Sequence, residues 1–202
     1  ETAARIYRLT DGGWDGTVDP LVRRWGFHDK GNRLRVPPKQ EIQVQKKRIG
    51  FDSIKILPEG FLVKTKPDVT LDLASIAKGY AVDEIASLLR GVGLGRHLVE
   101  IGGEVLAVGS KPDGSRWKVG INRPEKGAAL DSVYRVVALT DRAMATSGDY
   151  RNFFVRNGSV YTHVIDPRNN GRTGAAALGV TDLDRPEPGP RRNTHNTDAV
   201  IQ

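Results

Sequence analysis

Four short segments of this sequence carry side chains whose types and spacing could support chemistry. The first holds Asp72, Ser75 and Lys78, a carboxylate, a hydroxyl and an ammonium placed three residues apart. If Ser75 caps a helix, Lys78 lies in the first turn, where a cation opposes the positive end of the helix dipole. A bound anion would make a lysine at this position favourable, because the free N–H groups of the helix start and Lys78 would both point at the anion. Asp72, just upstream, could hold a hydroxyl or a metal. The alternative is an ordinary amphipathic helix whose lysine reaches solvent.

The second segment contains two adjacent glycines, Gly102 and Gly103, inside what is otherwise a long strand pattern. Glycines within a strand usually mark a β-bulge or a close approach of the backbone to another group. That group is either a ligand or a packed neighbour. The third segment, residues 145–151, is small and polar, and it predicts only a turn between strands.

The fourth segment centres on His163, which we expect to end a strand before Asp166-Pro167 turns the chain. Histidine is the usual general base near neutral pH. Because side chains alternate along a strand, His163 and Ile165 would lie on one face. The alternative is a structural histidine that pins the turn by a hydrogen bond.

The elements that must position these residues follow from hydrophobic periodicity and turn residues. Along the sequence, the predicted helices come first and most of the predicted strands follow. This order predicts an α+β fold with a largely antiparallel sheet packed with helices. The firmest helix spans 75–90, and its predicted apolar stripe is Ala77, Ala81, Ile85, Leu88 and Leu89. Other helices are predicted at 1–9, from Asp19-Pro20 and at 39–48. Strands are predicted at 51–57, 60–65, 97–108, 116–121, 132–140, 153–156 and 160–166, with a hairpin at Asn157-Gly158 and loop at 183–197.

Composition excludes several classes of protein. The 202 residues include 31 Lys and Arg, 24 Asp and Glu, and no cysteine. Thiol catalysis, cysteine-bound zinc and disulfides are therefore excluded. No apolar run approaches the roughly 18 residues of a membrane helix. The net charge of +7 is scattered along the chain, so we expect a solvated basic surface and no nucleic-acid partner.

Taken in order, several segments resemble the FAD:protein FMN transferase family, also called the ApbE or thiamine biosynthesis lipoprotein family. They are LDLASIAKGYAVDEI, EIGGEVLAVG, WKVGINRP, ATSGDYRNFF and YTHVIDPR, with GTVDPLVRRWGF upstream. The resemblance covers about residues 11–174. It implies an ApbE-like flavin transferase fold and an enzyme that moves FMN from FAD onto a Ser or Thr hydroxyl of an acceptor flavoprotein, releasing AMP, with Mg²⁺ as cofactor.

The resemblance also assigns roles to individual residues. It implies that His163 is the catalytic base and that Ser75 and Asp198 are metal ligands. Phosphoryl transfer depends mainly on positioning and charge neutralisation, which a lysine and a divalent cation can supply. The FAD-binding residues it implies are Trp25, Gly26, Phe27, Asp72, Lys78 and Ile165. We add Gly102 and Gly103, because glycines within a strand allow a ligand to approach the backbone closely.

The family implies a periplasmic or extracytoplasmic location, with a lipid anchor as the only membrane attachment and a respiratory electron-transfer subunit as acceptor. Two places depart from its pattern: Asn169-Asn170 follows Pro167-Arg168, where the family usually has Thr-Gly, and Gln202 replaces a threonine. We therefore expect 1–202 to form a single domain that lacks N- and C-terminal parts of the family domain. The alternative function is a non-catalytic flavin-nucleotide binding protein with a degenerate metal site.

Overall fold

The computed structural model describes residues 1–28, 34–123, 132–147 and 152–169, and the backbone of 179–184. The chain divides into two compact units. The first unit comprises Glu1–Leu73 and Arg151–Ala177, and the second comprises Ala74–Tyr150 and Leu178–Gln202. The single domain expected over 1–202 stays a prediction.

Helices and two small hairpins build the first unit. The three predicted helices are confirmed within a few residues, and the predicted strand at 51–57 begins instead with a 3-10 turn. The elements are α1 (Thr2–Leu9), α2 (Asp19–Trp25), α3 (Lys39–Lys46), β1 (Ile54–Ile56), β2 (Leu62–Lys64), β8 (Phe153–Arg156) and β9 (Ser159–Thr162). In the β8–β9 hairpin, Arg156 pairs with Ser159, which confirms Asn157-Gly158 as a two-residue loop. Both loop residues have the positive φ, 51° and 74°, that such a turn requires.

The core of the first unit lies between α2, α3 and the segment after β9. Its buried residues are Leu21, Trp25, Ile42, Ile49 and Ile165. Helix α2 begins at Asp19, as predicted, and the Asp19 carboxylate accepts a hydrogen bond from Arg23 Nε at 2.6 Å. The helix ends at Gly26, whose φ of 86° turns the chain out of the helix.

A four-stranded antiparallel sheet and one long helix build the second unit. The elements are α4 (Ala74–Gly91), β3 (His97–Ile101), β4 (Glu104–Val108), β5 (Trp117–Asn122), β6 (Val133–Leu139), β7 (Arg142–Ser147) and β10 (Gly179–Asp184). The strand order in the sheet is β10-β7-β4-β3, and β5 pairs with β6 separately. The α+β class with antiparallel pairing is thereby confirmed. Strands β7 and β10 differ from the sequence prediction, which has a turn at 145–151 and no strand near 179.

The predicted apolar stripe of α4 is wrong at Ala77, Ile85 and Leu88, which are exposed, and correct at Leu89. Its buried residues are Val82 and Ala86, which pack with Leu89 against Val99 and Leu106 of the sheet. Ala77 is exposed, and Leu88 is 70% exposed. Apolar residues occur on more than one side of this helix. Periodicity alone therefore does not identify which apolar side packs against the sheet. None of the helices in the described ranges has the length and apolar content to cross a membrane.

Candidate functional site

Aromatic side chains of α2 and of the β8–β9 hairpin form a cluster in the first unit. Trp25, at the end of α2, is buried, and its ring lies 5.3 Å from that of Tyr161. Phe154 stacks on Tyr161 at 5.0 Å and also contacts Phe27 at 5.7 Å. The turn at Gly26 brings Phe27 to this hairpin after α2 has ended. The Trp-Gly-Phe segment is therefore held by packing against strands more than a hundred residues away in sequence.

His163 lies beside this cluster, one residue beyond the end of β9. Its ring is edge-on to that of Phe27, with centroids 6.5 Å apart. Its backbone N–H donates to the carbonyl oxygen of Asn152 at 3.2 Å, and Nδ1 lies 3.3 Å from the same oxygen. A carbonyl oxygen only accepts, so this contact favours the tautomer protonated at Nδ1. Nε2 then keeps its lone pair and is the nitrogen that can take a proton.

Ile165 does not share a strand face with His163, because β9 ends at Thr162 and the alternation of side chains ends with it. Its side chain is buried in the core of the first unit beside Leu21 and Trp25. Ile165 is thus placed to hold the segment after His163 in position. Any contact of this residue with a nucleotide would involve its backbone.

The turn after His163 is fixed by an ion pair. Asp166 accepts hydrogen bonds from the Arg168 backbone N–H at 2.9 Å and from its guanidinium at 2.8 Å and 3.0 Å. These bonds hold the pKa of the Asp166 carboxyl below its usual range. Arg168 also donates to the Thr10 carbonyl oxygen at 3.1 Å, just past the end of α1. The chain that follows His163 is therefore tied to the start of the first unit.

Asp72 lies near the end of Glu1–Leu73, the first segment of the first unit, where its backbone is fixed. Its N–H donates to the carbonyl oxygen of Gly16 at 2.7 Å. A side chain at Gly16 would lie 3.0 Å from the ring of Trp14 and 3.3 Å from the Asp72 carbonyl oxygen. The Asp72 side chain is exposed, so its carboxylate is accessible to solvent and ligands.

Lys78 has a carboxylate partner that sequence analysis did not identify. Helix α4 begins at Ala74, so Ser75 is its second residue and not its cap, and Lys78 lies in the second turn. The ammonium Nζ is 2.6 Å from Glu104 Oε2 and donates to the Gly102 carbonyl oxygen at 3.0 Å. The cation is therefore already neutralised in part. Its position relative to the helix dipole no longer argues for a bound anion.

Gly102 and Gly103 form the two-residue turn of the β3–β4 hairpin, in which Ile101 pairs with Glu104. Their φ angles, 57° and 99°, are those of a tight turn that favours glycine at both positions. The predicted bulge is therefore wrong. The predicted close approach is correct, and the neighbour is Lys78, whose Cδ would lie 3.1 Å from a Cβ at Gly102. The structure thus brings Lys78, Gly102 and Gly103 together in the second unit.

The metal ligands expected from sequence are only partly described. Ser75 lies on the exposed side of α4, whereas Asp198 falls outside the described residues. Within the described ranges, no group of three or more His, Asp or Glu side chains is arranged to hold a metal ion. Hydroxyl and carboxylate oxygens are ligands that Mg²⁺ prefers, so the chemistry of the two residues fits the ion.

Comparison with known proteins identifies the family. The model of the ApbE family matches residues 1–181. This chain belongs to the ApbE family. It is 38% identical over 184 residues to a protein of Vibrio cholerae serotype O1 named FAD:protein FMN transferase, an alignment that covers 91% of this chain and 54% of the relative.

Solved structures of the ApbE family show the same fold. The ApbE protein of Thermotoga maritima has a TM-score of 0.72 and 35% identity, over 85% of this chain and 54% of that one. The flavinyl transferase ApbE of Pseudomonas stutzeri has a TM-score of 0.71 and 37% identity, over 84% of this chain and 51% of that one. The chain therefore spans about half the length of the relatives it matches.

Proposed function

We propose that the protein transfers FMN from FAD to a Ser or Thr hydroxyl of an acceptor flavoprotein and releases AMP. The observation that carries this proposal is the placement of His163, whose Nδ1 faces the Asn152 carbonyl oxygen and whose ring lies beside Phe27. That placement leaves Nε2 as the basic nitrogen next to the segment that the family resemblance assigns to flavin. Relatives named FAD:protein FMN transferase support the reaction class.

The proposed reaction is a phosphoryl-type transfer with one proton to remove. The acceptor hydroxyl oxygen attacks the phosphorus of the FMN half of FAD, a new phosphoester bond forms, and the pyrophosphate bond to AMP breaks. His163 Nε2 accepts the hydroxyl proton as the new bond forms. A positioned general base of this kind contributes about 10²–10⁴-fold to a rate.

Lys78 and Asp72 are proposed to contact FAD, as the family resemblance implies. An ammonium presents three N–H donors. Lys78 donates one of them to the Gly102 carbonyl oxygen and forms an ion pair with Glu104, and its side chain is 45% exposed, so it can also donate to a phosphate oxygen. Phe27, half-buried beside Phe154, offers an aromatic surface that suits a flavin ring.

Mg²⁺ is proposed as the metal, held by Ser75 and Asp198. When bound, the ion would neutralise negative charge on the pyrophosphate and on the departing AMP. Of the chain's own residues, His163 is proposed to remove the proton and Lys78 to bind the nucleotide. We also propose an extracytoplasmic location, with lipid attachment, and a respiratory electron-transfer subunit as acceptor, since the family resemblance implies each of these.

The test is to incubate the protein with FAD, Mg²⁺ and a purified flavoprotein subunit of the respiratory electron-transfer class. Transfer predicts fluorescence that stays on the acceptor in a denaturing gel, together with AMP in a 1:1 ratio to bound flavin. The matched control is the same acceptor with its modified Ser or Thr replaced by Ala. Absence of gel-stable flavin and of AMP contradicts the proposal.

A second candidate is a flavin-nucleotide binding protein without transfer activity. Asn169-Asn170 and Gln202, which depart from the sequence pattern of the family, favour this candidate. It predicts saturable FAD binding by fluorescence titration with no AMP released, whereas the transferase releases AMP in the presence of acceptor.

A further inference from the structure

We propose that Glu104 is a positioning residue, which holds the ammonium of Lys78 above the Gly102-Gly103 turn in the orientation that FAD requires. This inference rests on the proposed function, in which Lys78 contacts FAD. Glu104 is not among the residues that sequence analysis assigned to any role. The contact of Glu104 with Lys78 is the observation from which we infer its positioning role.

The contact joins two elements that are distant in sequence. Lys78 comes from the second turn of α4, and Glu104 is the first residue of β4. Nζ of Lys78 lies 2.6 Å from Glu104 Oε2, so the two side chains form an ion pair, and this carboxylate oxygen is buried without a hydrogen-bond partner among the described residues. The Gly102 carbonyl oxygen accepts a hydrogen bond from the same Nζ at 3.0 Å, so a carboxylate and a carbonyl oxygen of one hairpin both contact the ammonium.

Gly102, whose carbonyl oxygen contacts the ammonium, also leaves space for the lysine side chain. A Cβ at Gly102 would lie 3.1 Å from Lys78 Cδ and 3.6 Å from its Nζ. The missing side chain therefore lets the lysine stem lie directly on the turn. The Gly102-Gly103-Glu104 sequence thus supplies a surface, a carbonyl oxygen and a carboxylate to one side chain.

The two side chains of this ion pair differ in how much of each is exposed to solvent. The Glu104 side chain is 18% exposed, whereas that of Lys78 is 45% exposed. The shielded carboxylate is the fixed partner, and the more exposed lysine is the side chain that needs to be held. A free lysine has a flexible four-carbon stem and many rotamers, so a fixed carboxylate selects one of them. Misplacement of a contacting group by about 1 Å can cost about 10²-fold in rate.

The test is a double-mutant cycle on Lys78 and Glu104 that measures FMN transfer with saturating acceptor. We expect Glu104→Ala to lower kcat/KM for FAD about 10–100-fold, a range consistent with loss of positioning. In a Lys78→Ala background, the same substitution should change it less than about twofold, because Glu104 would have nothing to position. Glu104→Gln, which still offers an oxygen acceptor, should recover most of the loss. Additive effects of the two alanine substitutions would overturn the proposal.

The matched control is Glu100→Ala, an exposed carboxylate on β3 beside the same turn. It should leave kcat/KM unchanged, and an equal loss in this variant would overturn a specific role for Glu104. Thermal unfolding of each variant separates loss of positioning from loss of the fold.

A second measurement separates this inference from the proposed function. The rate at which an amine-reactive ester modifies Lys78, followed by mass spectrometry without flavin, should rise at least about threefold in Glu104→Ala and stay constant in Glu100→Ala. If the wild-type protein transfers no FMN but Lys78 is protected by Glu104, the function fails and the contact stands. An unchanged modification rate in Glu104→Ala overturns the positioning role, whatever the activity.

Discussion

The imidazole of His163 lies edge-on to the ring of Phe27, with their centroids 6.5 Å apart. The two residues come from the chain after α2 and the chain after β9, and Phe27 also contacts Phe154 of the aromatic cluster. A proposed general base and a proposed flavin contact are therefore neighbours in one compact unit. In the second unit, Lys78 and the Gly102-Gly103 turn form a separate group with Glu104.

The first prediction concerns His163. His163→Ala should lower FMN transfer about 10²–10⁴-fold, the contribution expected of a positioned base, and leave FAD affinity within about twofold. His163→Asn can still donate to the Asn152 carbonyl oxygen but has no basic nitrogen, so it should be as inactive as the alanine variant. Rates are measured by gel fluorescence, and affinities by titration. Nearly full activity in His163→Asn would instead show that His163 only holds the turn by a hydrogen bond and is not the general base.

The second prediction concerns Lys78. Lys78→Ala should weaken FAD binding about 10–100-fold, because a hydrogen bond to a charged group contributes roughly 1.5–3 kcal/mol. The fold should stay intact, since the side chain is 45% exposed. Fluorescence titration gives the affinity and circular dichroism the fold. Unchanged affinity would remove Lys78 from the nucleotide site. Lys111→Ala, a lysine in a turn of the same unit, is the control and should bind FAD normally.

The third prediction concerns the β3–β4 turn. Gly102→Ala should cost about 1–2 kcal/mol of stability, because a residue with a side chain is strained at a φ of 57°. It should also weaken FAD binding, since its Cβ would displace the Lys78 stem. Gly103→Ala is the control: its backbone is strained too, but its Cβ would have no neighbour within 4 Å. Equal losses of affinity in both variants would mean that the turn itself contacts the nucleotide.

Much of the fold could be predicted from sequence, whereas the contacts of the candidate site could not. The periodicity of α4 and the Asn157-Gly158 turn are local signals, and both elements are present as predicted. Strand β7, with sequence RAMATS, has a weak local signal and becomes a strand because it pairs with β4 and β10. The same applies to Glu104, whose contact with Lys78 depends on how α4 packs on the β3–β4 hairpin. Local spacing carries no information on such a contact.

The fourth prediction concerns the metal. Asp198→Asn should raise the Mg²⁺ concentration for half-maximal transfer at least about tenfold, because even changes around metal ligands cost about 10–100-fold in affinity or activity. Asp68→Asn, which changes an exposed carboxylate of the first unit, is the control and should keep the wild-type requirement. Transfer is measured over a range of Mg²⁺ concentrations. Transfer that proceeds equally well in excess chelator would contradict both the metal and the role of Asp198.

The last prediction concerns pH and the Asp166–Arg168 ion pair. The folded pKa of Asp166 is below its usual value because Arg168 donates to its carboxylate. A group with a lowered folded pKa stabilises the fold above its unfolded pKa, about 3.9 for Asp, and this contribution disappears as the pH falls through the folded value. The pair is partly exposed, so its contribution is modest and decreases with added salt.

We therefore expect Asp166→Asn to be less stable than the wild-type protein at pH 7, and the difference between the two to close as the pH falls below about 4. Urea unfolding at a series of pH values measures the free energy of unfolding of both proteins. Because Arg168 also holds the Thr10 carbonyl oxygen, Arg168→Ala should lose more stability at pH 7 than Asp166→Asn. A constant difference between wild type and Asp166→Asn from pH 7 to about pH 3 would show that the carboxylate charge does not stabilise the turn after His163.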